Sequence, residues 1–362
     1  MRVLVFEFAT SFWSLAEREF GEAAKSLLCE GTAMAAAVAA DFTALADVEV
    51  VGVRDARLTD LPPPLDRFRA IQGRGSDWKI DDALSHADFV LPIMPETRGI
   101  LRSLVEHLER CSYRLLCPSS AFVAWATDKH ATLETLRSKG VPTPAGVRLT
   151  ADDSWPGGFP FPAVLKPNDA CGSDDVQLLK ESRDCRRRIQ SQNSRLPPHD
   201  PVWRLEQWVP GRPASVAMLR GLKGTTFLPA CEQRLSNDGR FTYFGGSCPL
   251  APALAARAEK IARRADAAMP EGFGYVGIDM ILGESADGSQ DYVIEVNPRL
   301  TTSYIGLRAL CQSNLARAML DVAAGREPAL SFRPGCVAFD ADGAVRYAGP
   351  SEVVQASAQS DE

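Results

Sequence analysis

Two strand-like runs close together in the chain, YVGIDMIL at 275–282 and DYVIEVNPRL at 291–300, constrain it more than any other feature, because each places charged groups within an apolar strand pattern. Successive side chains of an extended segment point to opposite faces, so Glu295, Asn297 and Arg299 share one face while Val296, Pro298 and Leu300 share the other. Between the runs, GESADGSQ carries the Asp287-Gly288 turn signal, which predicts an antiparallel hairpin with Asp279 on the preceding strand. Carboxylates and amide oxygens are hard ligands that suit Mg²⁺, which takes one or two carboxylates and completes its shell with water and substrate phosphates. The pattern predicts an enzyme that uses ATP, with Mg²⁺ (or Mn²⁺) held by Asp279, Glu295 and Asn297.

Composition narrows the partners. A chain of 362 residues, 45% hydrophobic and 24% charged, can bury one large core or two to three modest ones. A net charge of −6 leaves no broad basic surface, so no nucleic acid is expected as partner. The opening MRVLVFEFAT is too short an apolar run for a secretory signal, and no later stretch approaches ~20 uninterrupted apolar residues, so no membrane is expected and the protein is placed in the cytoplasm. Nine cysteines without a CxxC pair, with four scattered histidines, argue against a disulfide framework and a structural zinc site.

Periodicity gives the organisation. MRVLVFEF, VEVVGVRD and ADFVLPIMPE read as strands, with helical LLCEGTAMAAAVAADFTAL and TRGILRSLVEHLERC among them, which predicts a small parallel sheet over residues 1–117. A helix DKHATLETLRSKG, closed by Gly140, then leads to short strands in VPTPAGVRL, FPAVLKPND and VQLLK, making a second unit over 118–200. The third unit, 201–330, holds strands WRLEQWVPG, ASVAMLRG, TTFLPACEQRL and RFTYFGG, the helix ALAARAEKIARRADAAM, the two acidic strands, and one final helix GLRALCQSNLARAMLDVAAG. Residues 331–362 read as a short β-like segment and a polar, disordered tail QASAQSDE.

The order of motifs TDKHATLETLRSKGVPTP, AVLKPNDACGSDDV, LEQWVPG, YVGIDMIL and IEVNPR resembles that of the ATP-grasp carboxylate–amine ligases over residues 127–299. The strings FEF, CEGTAM, LPIMPET, YFGGSCP and EVNPRLTTSYIGLR are most similar to the tyramine–glutamate ligases of methanofuran biosynthesis and their bacterial relatives. The resemblance implies an α/β (α+β) ATP-grasp fold behind an N-terminal Rossmann-like pre-ATP-grasp domain. It implies that Lys129 and Lys166 contact ATP phosphates, as compact cations do well. The loop Asn168–Asp175, with Gly172 and Ser173, becomes a phosphate-covering lid, and Glu206, Gln207, Trp208 and Val209 become the adenine-binding segment. GRPAS departs from the pattern by offering no acidic residue for the ribose.

Arg299, with Lys166, takes the catalytic part in this reading, its guanidinium holding a substrate carboxylate or acyl phosphate as negative charge develops. Thr301, Thr302, Ser303 and Tyr304 either line the acceptor pocket or cap the following helix. The implied reaction activates the γ-carboxylate of L-glutamate and joins it to tyramine or a tyrosine-like amine, releasing ADP and phosphate. Glu7, Glu96, Tyr243, Gly245 and Gly246 are the implied pocket residues, and a homodimer is compatible with the family. Two alternatives stay open: another ATP-grasp amino-acid or dipeptide ligase, and a non-catalytic ATP-binding regulatory protein. Gly277 stands where D-alanine–D-alanine ligases usually carry an Arg two residues before the metal-binding Asp.

Overall fold

In the computed structural model of the protein, the residues described are 1–71, 84–150, 153, 156–172, 175–184 and 202–348. Three sheets organise them. The first is parallel, of β1 (Arg2–Glu7), β2 (Glu49–Asp55), β3 (Arg69–Ile71) and β4 (Phe89–Ile93), in the order β3-β2-β1-β4. Its strands are near-continuous apolar runs because helices cover them, as parallel sheets require. Short helices α1 (Phe8–Ser11) and α2 (Trp13–Phe20) follow β1 directly. The long α3 (Ala24–Thr43) then packs Met34, Ala35, Val38, Ala39 and Phe42 against Val3, Val5, Phe89 and Leu91. After β4 come α4 (Ile100–Arg110), α5 (Ser120–Thr127) and α6 (Lys129–Ser138), the last two started by side-chain caps from Ser119 and Asp128.

The second sheet is antiparallel and small: β5 (Gly146–Leu149), β6 (Ala163–Pro167), β7 (Gln177–Leu179) and β8 (Trp203–Gln207), in the order β5-β8-β6-β7. The third comprises β9 (Arg212–Gly221), β10 (Gly224–Phe227), β11 (Cys231–Leu235), β12 (Tyr243–Cys248), β13 (Gly274–Leu282), β14 (Tyr292–Asn297), β15 (Cys336–Asp340) and β16 (Val345–Ala348). It runs β14-β13-β9-β11-β12-β15-β16, with β10 paired to β9. Helix α7 (Pro252–Ala268) covers one face, packing Ala258, Ile261, Ala262 and Ala265 on the layer that holds Val216, Met218, Val276 and Ile278. Helices α8 (Ser303–Leu310) and α9 (Leu315–Ala323) cover the other, in a core with Ala217, Leu219 and Tyr275. Alternate residues of β9 and β13 therefore enter separate cores, the two-residue period of a strand covered on both faces.

Helix α3 belongs to that second core as well. Asp41 on α3 accepts from Arg308 Nη2 at 2.6 Å and Tyr304 Oη at 2.7 Å on α8, joining the N-terminal sheet to the large one. Two expectations need correction. The helix read as one over 306–325 is two, broken at Cys311, where the backbone leaves helical geometry, and restarted by the Asn314 cap. TTFLPACEQRL is two strands, β10 and β11, separated at Leu228-Pro229-Ala230, where Pro229 has no N–H for a ladder. The β-like stretch near the C-terminus is β15 and β16, which extend the large sheet, while the tail QASAQSDE lies outside the described residues.

Candidate active site

Strands β13 and β14 pair antiparallel, with Gly277 opposite Asn297 and Asp279 opposite Glu295. The register shifts between Asp279 and Met280, leaving Ile294 as an extra residue on the β14 side, an irregularity that frees its carbonyl from the ladder. Asp279 is held at both oxygens: Gln233 Nε2 donates to Oδ1 at 2.9 Å and Asn297 Nδ2 to Oδ2 at 3.0 Å. Burial and then the neighbouring Glu295 push the Asp279 carboxyl up to about 7. Two carboxylates pressed together in a dry site are the arrangement a divalent cation relieves.

Cations surround that pair. Lys129, at the start of α6, is 5% exposed; its Nζ lies 2.8 Å from Glu295 Oε1 and also donates to the Ala170 carbonyl. Burial opposes its charge, yet Glu295 and then Glu96 hold its pKa above the ordinary lysine value. Lys166 on β6 is equally enclosed, 2.7 Å from Glu206 Oε1 and donating to Ile294 O at 3.3 Å, the carbonyl freed by the irregularity. The other oxygen of Glu206 accepts from Arg204 Nε at 2.7 Å, and Arg204 Nη1 meets His130 Nδ1 at 2.7 Å. Burial and the Arg204 charge lower the His130 pKa. Arg299 Nε donates to both oxygens of Glu96 at 3.0 Å, and against the cost of burial Glu96 raises its pKa.

Asp279, Glu295, Asn297, Lys166, Glu206 and Arg299 line one cavity of about 500 Å³, in the size range of small-molecule sites, between the small and large sheets and the C-terminal end of β1, with Lys129 behind Glu295. Glu206, Gln207, Trp208 and Val209 all line it, with Val164, Met280, Ile281 and Ile294 supplying an apolar slot. Gly172 lines it at φ +63°, with open space where a Cβ would lie. The loop before it is tied to the N-terminal part: Cys171 N donates to Thr97 Oγ1 at 3.2 Å, and Arg98 N to Asp169 Oδ2 at 3.0 Å. Ser173 lies outside the described residues.

Other predicted residues separate. Glu7 and Tyr243 line the cavity, whereas Glu96 is the buried partner of Arg299. Gly245 and Gly246 serve strand contact instead: a Cβ there would lie 2.1 Å from Phe339 O and 2.2 Å from Glu232 O. Thr301, Thr302 and Ser303 line the cavity, and Thr302 makes no side-chain cap to α8. Gln233 and Arg204 lie outside the sequence motifs, and His130, though within TDKHATLETLRSKGVPTP, carries no role in the sequence reading. Only strand pairing reveals Gln233, which sits on β11 and reaches across β9 to β13.

The donor set fits magnesium and a nucleotide. Two carboxylates and an amide suit a cation that draws its remaining ligands from phosphates and water; Lys166 and Arg299 line the same cavity, and Lys129 is paired to its Glu295. Residues 126–303 match the family described as ATP-grasp domain, and residues 48–123 the pre ATP-grasp 3 domain. The chain is 26% identical over 257 residues to a tyramine–L-glutamate ligase of Methanocaldococcus fervens, covering 70% of this chain and 72% of that protein. In fold it resembles a protein from Archaeoglobus fulgidus assigned to the ATP-grasp superfamily, with TM-score 0.67, 23% identity, and 93% and 92% of the two chains covered. It also resembles D-alanine–D-alanine ligase from Bacillus anthracis complexed with ATP, with TM-score 0.62, 16% identity, and 90% and 97% covered.

Proposed function

This chain belongs to the ATP-grasp superfamily of ADP-forming carbon–nitrogen ligases, and on that footing we propose that it joins the γ-carboxylate of L-glutamate to tyramine or a closely related aromatic amine. The observation that carries the ligase reading is the convergence of Asp279, Glu295 and Asn297 with Lys166 and Arg299 around one cavity, with Lys129 ion-paired to Glu295 at its wall. The similarity to tyramine–L-glutamate ligase supports the choice of substrates.

In this reading Asp279, Glu295 and Asn297 would hold the metal, which would supply screening of the phosphate charge. Lys129 and Lys166 carry fixed positive charge toward the phosphates. The Glu206–Gln207–Trp208–Val209 segment and the apolar slot take the base. An oxygen of the glutamate γ-carboxylate attacks the γ-phosphorus, the bond to the β–γ bridging oxygen breaks, and ADP leaves. The amine nitrogen then attacks the acyl carbon and loses a proton, the carbon–oxygen bond to phosphate breaks, and phosphate leaves. Arg299, fixed by Glu96, meets the negative charge that gathers on the acyl phosphate and its tetrahedral successor. Such chemistry rests on positioning and charge neutralisation rather than a nucleophilic side chain.

Gly277 disfavours a D-alanine–D-alanine-like reaction. A Cβ there would lie 2.7 Å from Thr301 Cγ2, so the space an arginine would need is filled. A panel of carboxylates and amines with Mg²⁺-ATP tests the assignment: ADP release should require glutamate and an aromatic amine together. Equal release with D-alanine, or with no pair at all, would remove it.

A further inference from the structure

The cavity is larger than its nucleotide end, and its far lobe lies under the N-terminal sheet. Phe20, Leu27, Met34 and Met94 give that lobe apolar walls, and two carboxylates, Glu7 and Glu30, enter it. Glu7 caps α1, accepting from Ala9 N at 3.0 Å and Thr10 N at 2.7 Å. It presses against α3 where Gly31 leaves room, since a Cβ on Gly31 would lie 2.2 Å from Glu7 Oε1. Glu30, the neighbour of Gly31, is partly buried; its only side-chain hydrogen bond among the described residues is a long one, from Ser26 Oγ at 3.4 Å. It stands within electrostatic reach of Arg299 and Tyr243. Among the described residues lining the lobe, Arg299 is the cation, and it is committed to Glu96 and, in the ligase reading, to the acyl phosphate.

That inventory has a sign. An apolar ring fits the walls, and an ammonium entering beside Glu30 meets a carboxylate with one long hydrogen bond, within reach of Arg299, the residue assigned to the acyl phosphate. An acceptor with a carboxylate beside its amine brings a further carboxylate to an end that already holds Glu7 and Glu30, with no free cation among the described lining residues to receive it. We propose that Glu30 is the specificity-determining residue for the acceptor: it receives the ammonium of an aromatic ethylamine and, with Glu7 behind it, rejects the corresponding α-amino acid. Burial raises the Glu30 pKa, opposed in part by Arg299, as befits a carboxylate awaiting a cation.

The inference rests on the ligase reading above, and the test separates the two. Wild-type protein with Mg²⁺-ATP, glutamate and hydroxylamine should yield the glutamyl hydroxamate, which needs an activated glutamate but no docked ammonium; its absence would overturn the ligase reading alone. For Glu30, tyramine and tyrosine are compared as acceptors, and tyramine binding is followed by calorimetry without any turnover. Wild type should prefer tyramine over tyrosine in kcat/KM. Glu30→Gln should raise the tyramine KM at least about tenfold, with a smaller effect on kcat, and narrow the preference. Glu30→Asp should restore part of the discrimination, and thermal melting checks that each variant is folded. Unchanged tyramine affinity and unchanged discrimination in a folded Glu30→Gln protein would overturn the inference.

Discussion

At the scale of single residues, the site is governed by carboxylates whose charges are set against one another. Asp279 and Glu295 face each other across β13 and β14, and Lys129 neutralises the second of them. Glu295→Ala removes one oxygen set of the proposed metal site, so turnover should fall by at least about 10²–10³-fold while the melting temperature changes little; ADP release and calorimetry measure both. Gln233→Ala leaves Asp279 with one amide donor, and the concentration of Mg²⁺ giving half-maximal activity should rise roughly tenfold or more. An unchanged magnesium requirement would mean that Gln233 does not position Asp279. Glu7 gives a pH signature away from the metal. Burial pushes its carboxyl from 4.5 to about 7, opposed by the N–H groups of α1, so the fold holds the proton more tightly than the unfolded chain does. Its contribution is full below about 4.5 and lost as pH climbs through about 7. Glu7→Gln is uncharged throughout, so relative to wild type it should gain stability between pH 5 and pH 8, on the order of 2 kcal/mol. Denaturant melts at the two values check this, and a constant difference would contradict it.

At the scale of elements, local signals decide what the sequence discloses. The acidic hairpin was legible because alternation and a turn signal coincide, and β13 and β14 pair as those signals require. The order of strands in the large sheet was not, since β9 lies between β13 and β11 and no local pattern encodes that insertion. Gln233 stayed hidden for the same reason, and Arg204 looked like an ordinary strand arginine until β8 placed it, fully buried, against Glu206. Helix α5, SAFVAWAT, is apolar nearly all round and short, so periodicity alone does not mark it. The break between α8 and α9 was readable in principle: Asn314 is a good cap, accepting from Arg317 N at 2.9 Å. Asn314→Ala should cost about 1 kcal/mol of stability with catalysis intact, since α9 packs behind the sheet. The close crossing of α3 over Glu7 predicts the opposite kind of sensitivity. Gly31→Ala forces Glu7 or α3 to shift and should cost about 1–3 kcal/mol and also impair acceptor use.

At the scale of the whole molecule, the N-terminal sheet and the two ATP-grasp sheets share one cavity, so the lobe proposed for the acceptor and the end proposed for the nucleotide are built from distant parts of the chain. Glu96 near β4 reaches Arg299 after β14, and Asp41 on α3 holds α8. Mg²⁺-ATP should therefore stabilise the chain as a unit, by about 2.7 kcal/mol at a concentration one hundred times its Kd, and the Glu295→Ala variant should lose most of that shift. The most direct test of the account is the mass of the product and the ADP formed when the protein is given Mg²⁺-ATP, L-glutamate and tyramine. The account predicts a glutamyl-tyramine amide with one ADP released per amide bond. Glutamate- and amine-independent ADP release with no amide, or no ADP from protein that binds Mg²⁺-ATP, would contradict it.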